Sequence, residues 1–119
     1  MYITIELDNI TQPHTALNFD STKSKWVPAN DTNSLIGILL EPSYQDEQGR
    51  HWGLVGISGI DTYLIADENI PDEGGFLFIR NDGRAYCLPQ SNGSCGTIAP
   101  VNVGETSRLI DSSIMVYLR

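Results

Sequence analysis

Short apolar runs separated by turn-forming residues are the main pattern of this chain. The clearest case is the stretch 53–84, which contains apolar runs at residues 54–57, 63–65 and 76–79. Runs this short, rich in β-branched and aromatic residues, favour strands over helices. Asn81, Asp82 and Gly83 follow, and an Asp-Gly pair supplies the positive φ of a tight turn. This stretch therefore predicts a strand, an acidic loop, a second strand and a tight hairpin turn.

Alternating apolar and polar residues mark both ends of the chain. Ile3, Ile5 and Leu7 alternate with polar residues, which is the pattern of a half-buried strand. Residues 113–118 alternate in the same way, with Ile114, Val116 and Leu118 predicted on one face and Met115 and Tyr117 on the other. We find no segment of helical period and no internal repeat. The predicted fold class is all-β, a small antiparallel β-barrel or sandwich with an extended N-terminal arm.

The first third of the chain is polar and differs from the rest. Residues 9–34 contain two prolines and only isolated apolar anchors, so we expect an extended arm or long loop. We therefore divide the chain into an N-terminal strand and arm, 1–34, and a β-barrel domain, 35–119. Residues 35–40 form a continuous apolar run, expected to be buried on both sides or at an interface. With residues 51–57 this run predicts a hairpin with a long turn.

Charge and cysteine content restrict the possible partners and compartments. The 119 residues carry a formal net charge of −8, which opposes binding to nucleic acids and anionic membranes. The N-terminus lacks the features of a signal peptide, so we expect synthesis in a cytoplasm without export. Cys87 and Cys95 flank a short loop and could form a disulfide across a hairpin. Two unpaired, partly buried thiols are the interpretation that a cytoplasmic origin favours.

Candidate chemistry is sparse. The carboxylates Asp67, Glu68, Asp72 and Glu73 could bind calcium, but their spacing does not follow a calcium loop, and a solvated loop is the preferred interpretation. His51 could find Ser58 or Asp46 nearby, yet such pairs occur in most proteins of this size. Arg80 and Arg84 could pair with the acidic loop or with carboxylates of a partner, and pairing within the chain is the preferred interpretation. We therefore expect no catalytic residue, no metal site and no cofactor.

From residue 35 onward, the order of apolar strands, glycines and turns resembles that of small capsid decoration proteins of tailed bacteriophages, also called cement or head-fibre base proteins. The matching segments are LIGILLE (35–41), VGISG (55–59), IPDEG (70–74), NDGR (81–84), Gly104-Glu105 and MVYL (115–118). The resemblance implies a homotrimer on the outer capsid surface that binds the major capsid protein and stabilises the shell. It implies a protein made in the host cytoplasm and located in the virion, with no enzymatic activity.

The expected interface comprises aromatic and apolar residues of the arm and of the flanking strands. These residues are Tyr2, Phe19, Trp26, Val27, Leu35, Ile36, Trp52 and Tyr117. An alternative function is a carbohydrate- or host-surface-binding module that uses Trp26, Trp52 and Tyr63 as stacking platforms. A small hydrolase around His51 is a third hypothesis.

Overall fold

The computed structural model describes residues 1–32, 36–102 and 107–119 and is all-β, with eleven strands in two sheets. The body measures 48 × 28 × 24 Å. The first sheet contains β1 (Tyr2–Leu7), β2 (Ala16–Asp20), β3 (Lys25–Pro28), β4 (Gly37–Leu39), β5 (Tyr44–Gln45) and β6 (His51–Gly56). The second contains β7 (Ile60–Ile65), β8 (Gly75–Arg80), β9 (Arg84–Leu88), β10 (Gly96–Ile98) and β11 (Ser113–Leu118).

The first sheet closes on itself and forms barrel 1. Its strands follow the order β1-β3-β2-β4-β6, and β6 pairs again with β1, so the ring is complete. Four of the five pairings are antiparallel, and the pairing of β1 with β3 at Leu7 and Trp26 is parallel. The amide of Asp8 extends this parallel contact by donating to the Trp26 carbonyl at 3.0 Å. The short strand β5 adds to the outside of β6.

The second sheet forms barrel 2 in the same way. Its strands follow the order β7-β11-β10-β8-β9, and all four of these pairings are antiparallel. A parallel bridge between Ala66 and Ala85 joins the end of β7 to β9 and closes the ring. The amide of Asp67 donates to the Ala85 carbonyl at 2.7 Å, which matches the contact of Asp8 in barrel 1.

The two barrels are tandem copies of one topology, a repeat that we did not find in the sequence. When β1, β2, β3, β4 and β6 are matched to β7, β8, β9, β10 and β11, all five pairings coincide, including the parallel one. The registers coincide as well. Leu17 faces Gly37 in barrel 1, and Leu77 faces Gly96 at the matching position of barrel 2. Leu7 and Trp26 correspond to Ala66 and Ala85.

Each barrel encloses a buried apolar interior. Barrel 1 contains a small cluster made of Ile5, Leu7, Leu17, Leu39 and Val55, with Trp26 and Ile57 packed against it. Barrel 2 contributes the larger cluster, which also includes side chains from the outer surface of barrel 1. These side chains are Ala16, Ala29, Ile36 and Ile38. The interior of barrel 2 is therefore completed by the outside of barrel 1.

The contact between the barrels is asymmetric. Barrel 1 contributes an outer row of small or apolar residues, the junction row: Ala29, Ala16, Ile38 and Gly56. Barrel 2 contributes its end, where the β8–β9 turn carries Gly83. The amide of Ala16 donates to the Gly83 carbonyl at 3.0 Å, and the Gly83 amide donates to the Ala29 carbonyl at 2.6 Å. The turn thus inserts its backbone into the edge of the β2–β3 pair.

A side-chain hydrogen bond supports the same contact. The Thr32 hydroxyl of barrel 1 accepts from the Ile79 amide of β8 at 2.7 Å. Around residue 79, β8 extends beyond its ladder with β10, which covers only residues 75–77. Thr32 therefore satisfies a backbone donor that the sheet leaves open.

The structure corrects the expectation of an extended arm in residues 9–34. This stretch contains β2 and β3, which pair with each other and with strands β4 and β1. Each strand turns only one or two side chains inward, such as Leu17, so the sequence reads as polar although the backbone is paired. The described residues up to 58 thus form barrel 1 and those from 59 onward form barrel 2, so residues 1–32 share a barrel with β4 and β6.

Several predicted elements are confirmed. The hairpin of β8 and β9 turns at Asn81, Asp82 and Gly83, all three with positive φ. β11 spans the predicted residues, and Ile114, Val116 and Leu118 are buried. In β4, Ile38 faces barrel 2 and Leu39 faces the interior of barrel 1, so the apolar run is buried on both sides. Leu35 and the predicted Gly104-Glu105 turn lie outside the described residues.

Candidate docking surfaces

Two of the four carboxylates of the acidic loop, Asp67 and Glu68, are paired with arginines of the same chain, as predicted. Arg80 Nε lies 2.6 Å from Asp67 Oδ2, and its guanidinium also lies 3.7 Å from Glu68. Arg84 pairs with Asp67 and with Asp111. The hydrogen bond from Arg80 lowers the pKa of Asp67 below its ordinary value, against the opposing effect of burial. These carboxylates therefore serve as internal pairing partners for the β8–β9 hairpin.

The residues considered for catalysis are not brought together. His51 begins β6, whereas Ser58 follows the opposite end of that strand, about 20 Å away for an extended chain. The Asp46 carboxylate accepts hydrogen bonds from the side chains of Trp52 and Arg50. Within residues 1–32, 36–102 and 107–119, no cluster of three His, Cys, Asp or Glu side chains is arranged to hold a metal ion. None of the described segments forms an apolar helix of membrane-spanning length.

Cys87 and Cys95 are both free thiols, partly buried on either side of β8. Burial raises the pKa of Cys95 to about 11, and burial followed by the charge of Glu68 raises the pKa of Cys87. At pH 8 we expect Cys95 to react with iodoacetamide more than about tenfold more slowly than glutathione, because little thiolate forms. Mass spectrometry of Cys87→Ser protein measures this rate, and Cys95→Ser gives the rate of Cys87. A Cys95 rate equal to that of glutathione would contradict the expectation.

Barrel 1 presents an aromatic outer surface on β1, β6 and β5, here called wall 1. Gly53 points into the barrel, since a Cβ there would lie 2.4 Å from Leu39 Cδ1, and so Trp52 and Leu54 face outward. Tyr44 is in register with Trp52, and Glu6 pairs with Trp52 from the other side. Tyr44 is 56% exposed, and Tyr2 extends the wall along β1. Wall 1 therefore joins the aromatic neighbours Tyr44 and Trp52 to Leu54 and Tyr2, with Glu6 and Thr4 of β1 beside them.

A polar network fixes the Trp52 ring within wall 1. Its indole Nε1 donates to Asp46 Oδ2 at 2.8 Å, and Arg50 Nε donates to the same oxygen at 3.0 Å. The Arg50 guanidinium carbon lies 5.5 Å from the centre of the Trp52 ring, within range of a cation–π contact. The orientation of this half-buried aromatic is therefore set before any partner binds.

The same network makes wall 1 sensitive to strong acid. The bond from Trp52, followed by the bonds from Arg50 and Gln48, lowers the pKa of Asp46 from 3.8 to about 2. Its contribution to stability is thus complete above pH 3.8 and is lost as the pH falls through about 2. In Trp26→Phe protein, which leaves one tryptophan, we expect Trp52 fluorescence to titrate with a midpoint near pH 2. Asp46→Asn should remove the transition, and a midpoint near 4 would contradict the assignment.

Barrel 2 carries a surface on β7 and β11, the strands that correspond to β1 and β6, and this surface is here called wall 2. Tyr63 and Met115 are directly paired and both exposed. Their register positions correspond to Thr4 and Leu54 of wall 1. The His14 and Tyr63 rings meet in a T-shaped arrangement at a centroid distance of 5.9 Å. A cavity of about 390 Å³ opens beside the wall, lined by Tyr63, Met115, Pro100 and Arg108 among others.

The end of barrel 1 carries a second aromatic pair, here called the free end. Phe19 and Trp26 are in register and meet edge to face at 6.0 Å. Trp26 packs on the interior of barrel 1, and its ring lies 3.5 Å from the position of a Cβ on Gly37. Phe19 is 46% exposed. Trp26 therefore closes the barrel, and Phe19 covers it from the solvent side.

The predicted interface residues have different positions in the structure. Tyr2 and Trp52 lie on wall 1, Phe19 lies at the free end, and Tyr117, 41% exposed, faces outward beside wall 2. Trp26 and Val27 are half-buried in β3. Ile36 is only 4% exposed and belongs to the contact between the barrels, so the structure places it in the core. Leu35 is outside the described residues.

Sequence reasoning missed three members of the walls. Tyr44 lies on a two-residue strand that is too short to show alternation. The alternation places Met115 on the face opposite Ile114 and Val116, but it was not selected as an interface residue. Tyr63 was considered only as a sugar platform. The three proposed sugar platforms are also separated, since Trp26 faces the barrel 1 interior, Trp52 faces outward, and Tyr63 lies on barrel 2.

Comparison of the chain with protein-family models, with curated proteins and with solved structures finds no match. The function is therefore inferred from the residues, the repeat and the two walls.

Proposed function

We propose that this chain is a non-catalytic structural protein that decorates the outer surface of a tailed-phage capsid and stabilises the shell. One observation carries the proposal. A single body built from two barrels presents two outward walls with exposed aromatic or methionine side chains, while Arg80 and Arg84 are engaged with carboxylates of the same chain. Such a body acts by contact and needs no reactive group. The likeness of its glycine and turn pattern to capsid decoration proteins supports the same function.

The walls have the composition of protein-binding surfaces. Aromatic residues and methionine are enriched at the centres of interfaces, where lysine and glutamate are depleted. Wall 1 contributes Tyr2, Tyr44 and Trp52, and wall 2 contributes Tyr63 and Met115. Because both walls belong to one body with a shared core, the protein can hold two sites of a shell at a fixed separation. A trimer, which the likeness implies, would multiply these contacts.

Sedimentation with capsids tests the proposal. Expanded shells assembled from the major capsid protein of the same genome should carry the chain into the pellet and survive higher temperature when decorated. Tyr44→Ala on wall 1 and Tyr63→Ala on wall 2 should each weaken binding by about tenfold, since each removes a central aromatic contact. Ile10→Ala is the control, because Ile10 is exposed outside both walls. Absence of the chain from the pellet, or full binding by both wall variants, would refute capsid decoration.

Carbohydrate binding is the second candidate, and the neighbouring rings of Tyr44 and Trp52 favour it. An exposed tyrosine beside an indole fixed by carboxylate and guanidinium groups is a surface on which a sugar ring could stack. Glycan-array binding that is lost in Trp52→Ala protein, with no binding to capsids, would support this function in place of the first.

A further inference from the structure

The contact between the barrels uses one surface of barrel 1 and a different surface of barrel 2. Because the barrels share one topology, each of these two surfaces has a counterpart on the other barrel. Barrel 2 docks through its end, formed by the β8–β9 turn with Ile79 and Ala85. The corresponding residues of barrel 1 are Phe19 and Trp26, the free end. Barrel 1 receives this end on the junction row. A surface in the same register therefore exists on barrel 2.

That second surface, here called the open row, runs across four strands of barrel 2. Phe76 pairs with Leu88 on one side and with Thr97 on the other, and Thr97 pairs with Tyr117. These residues correspond in register to Ala16, Ala29, Ile38 and Gly56 of the junction row. In barrel 1 the row is buried against barrel 2, whereas Thr97 and Tyr117 are exposed and Phe76 and Leu88 are partly exposed.

We propose that copies of this chain associate head to tail, with the free end of one copy docked on the open row of the next. The contact repeats between molecules the relation that joins barrel 1 to barrel 2 within one molecule. The proposal goes beyond capsid decoration and does not depend on it. Since the two surfaces differ, the contact is heterologous and closes into a ring or continues as a filament. A homotrimer would be a closed ring of three such contacts.

Side-chain size fits this pairing. The open row carries Phe76 and Leu88 where the junction row carries alanines, so it offers a larger apolar surface to Phe19. The two lysines at the free end, Lys23 and Lys25, are already paired with Asp8 and Glu6 of the same chain, so the contact depends on apolar side chains.

The intermolecular contact should be weaker than the internal one. The internal contact depends on Gly83, whose backbone enters the β2–β3 edge. The matching turn of barrel 1, residues 21–24, is one residue longer and contains no glycine. Docking between copies therefore depends on side chains alone, and we expect reversible, concentration-dependent association.

Sedimentation velocity of the full chain, from about 1 μM to about 1 mM, tests the proposal. The mean mass should rise with concentration. Phe19→Ser at the free end and Leu88→Ser on the open row should each weaken association by about tenfold or more. Tyr44→Ser on wall 1 is the control and should associate as the unmodified chain does. Near-UV circular dichroism checks that each variant is folded, and Thr97→Glu replaces Leu88→Ser if the latter is not.

Mixing the two variants identifies the geometry. Phe19→Ser protein retains an intact open row, and the open-row variant retains an intact free end, so an equal mixture should form a heterodimer and nothing larger. A chain that stays monomeric at all concentrations would refute the proposal, as would a mixture that does not dimerise. Both results are independent of capsid binding, which is measured with the wall variants.

Discussion

Replacing Gly83 with alanine should destabilise the protein by at least about 3 kcal/mol, a large part of the stability of a small protein. Gly83 has a φ of +85°, and a Cβ there would lie 2.4 Å from the Ala16 carbonyl oxygen and 2.6 Å from Thr15 Cγ2. The methyl group would therefore separate the turn from the edge of the β2–β3 pair. Both hydrogen bonds between Gly83 and barrel 1 would lengthen. Urea unfolding followed by far-UV circular dichroism measures the loss.

Gly59→Ala is the matched control for this substitution. Gly59 also has a positive φ, +64°, but no atom lies within 4 Å of the position that its Cβ would take. Gly59→Ala should lower the free energy of unfolding by only about 1 kcal/mol, the strain of an alanine in the left-handed backbone conformation. If both substitutions cost the same, the close approach of Gly83 to barrel 1 does not contribute to stability.

Trp26→Ala should destabilise the protein by about 3 kcal/mol, the cost of removing a large side chain from a packed interior. The Trp26 ring packs on the cluster inside barrel 1 and lies over Gly37. Its corresponding residue in barrel 2 is Ala85, where the outer side chains of barrel 1 complete the packing. Among the residues that the structure describes, none of barrel 2 belongs to the cluster around Trp26, so a cavity should remain. The shift of the urea midpoint measures the effect.

Trp52→Ala provides the comparison, because it removes the same side chain from the outside of the same barrel. Its loss should be about 1 kcal/mol, since one hydrogen bond to Asp46 and the contact with Arg50 disappear without leaving a cavity. Equal losses for the two tryptophans would show that Trp26 does not close barrel 1.

The parts of the fold that the sequence predicts are those in which one face of a strand is apolar throughout. β11 shows this alternation over six residues, and the β8–β9 hairpin adds the Asn-Asp-Gly turn. β2 and β3 lack it. Leu17 is buried, but Phe19 on the same face lies at the exposed barrel end, so the alternation stops after one residue. Ring closure by a single parallel bridge leaves no pattern in the sequence.

The repeat is hidden for a related reason. Corresponding positions have different environments in the two barrels, and the side chains differ accordingly. Trp26 closes barrel 1 from within, whereas Ala85 leaves room for the outer surface of barrel 1. Gly37 and Gly96 are identical because in both places a Cβ would lie within 2.5 Å of a neighbouring atom. Two glycines 59 residues apart, among the eleven glycines of the chain, do not stand out in the sequence.

The docking surfaces were predictable only in part. Aromatic residues such as Tyr2, Trp52 and Tyr117 could be selected because exposed aromatics are enriched at interfaces. Which of them share a wall depends on strand register, and the register follows from the pairing of β6 with both β1 and β5. The pairing of Tyr63 with Met115 likewise joins residues far apart in the chain.

The unequal closure of the barrels bears on how the polypeptide folds during synthesis. The Trp26 side chain closes the end of barrel 1 without help from barrel 2. Barrel 1 can therefore become compact as soon as its own strands have left the ribosome. Barrel 2 completes its interior with Ala16, Ala29 and Ile38, which belong to the half made first. Barrel 2 therefore needs a folded barrel 1 to complete its core. Translation from the N-terminus makes barrel 1 first, which is the order that this packing requires.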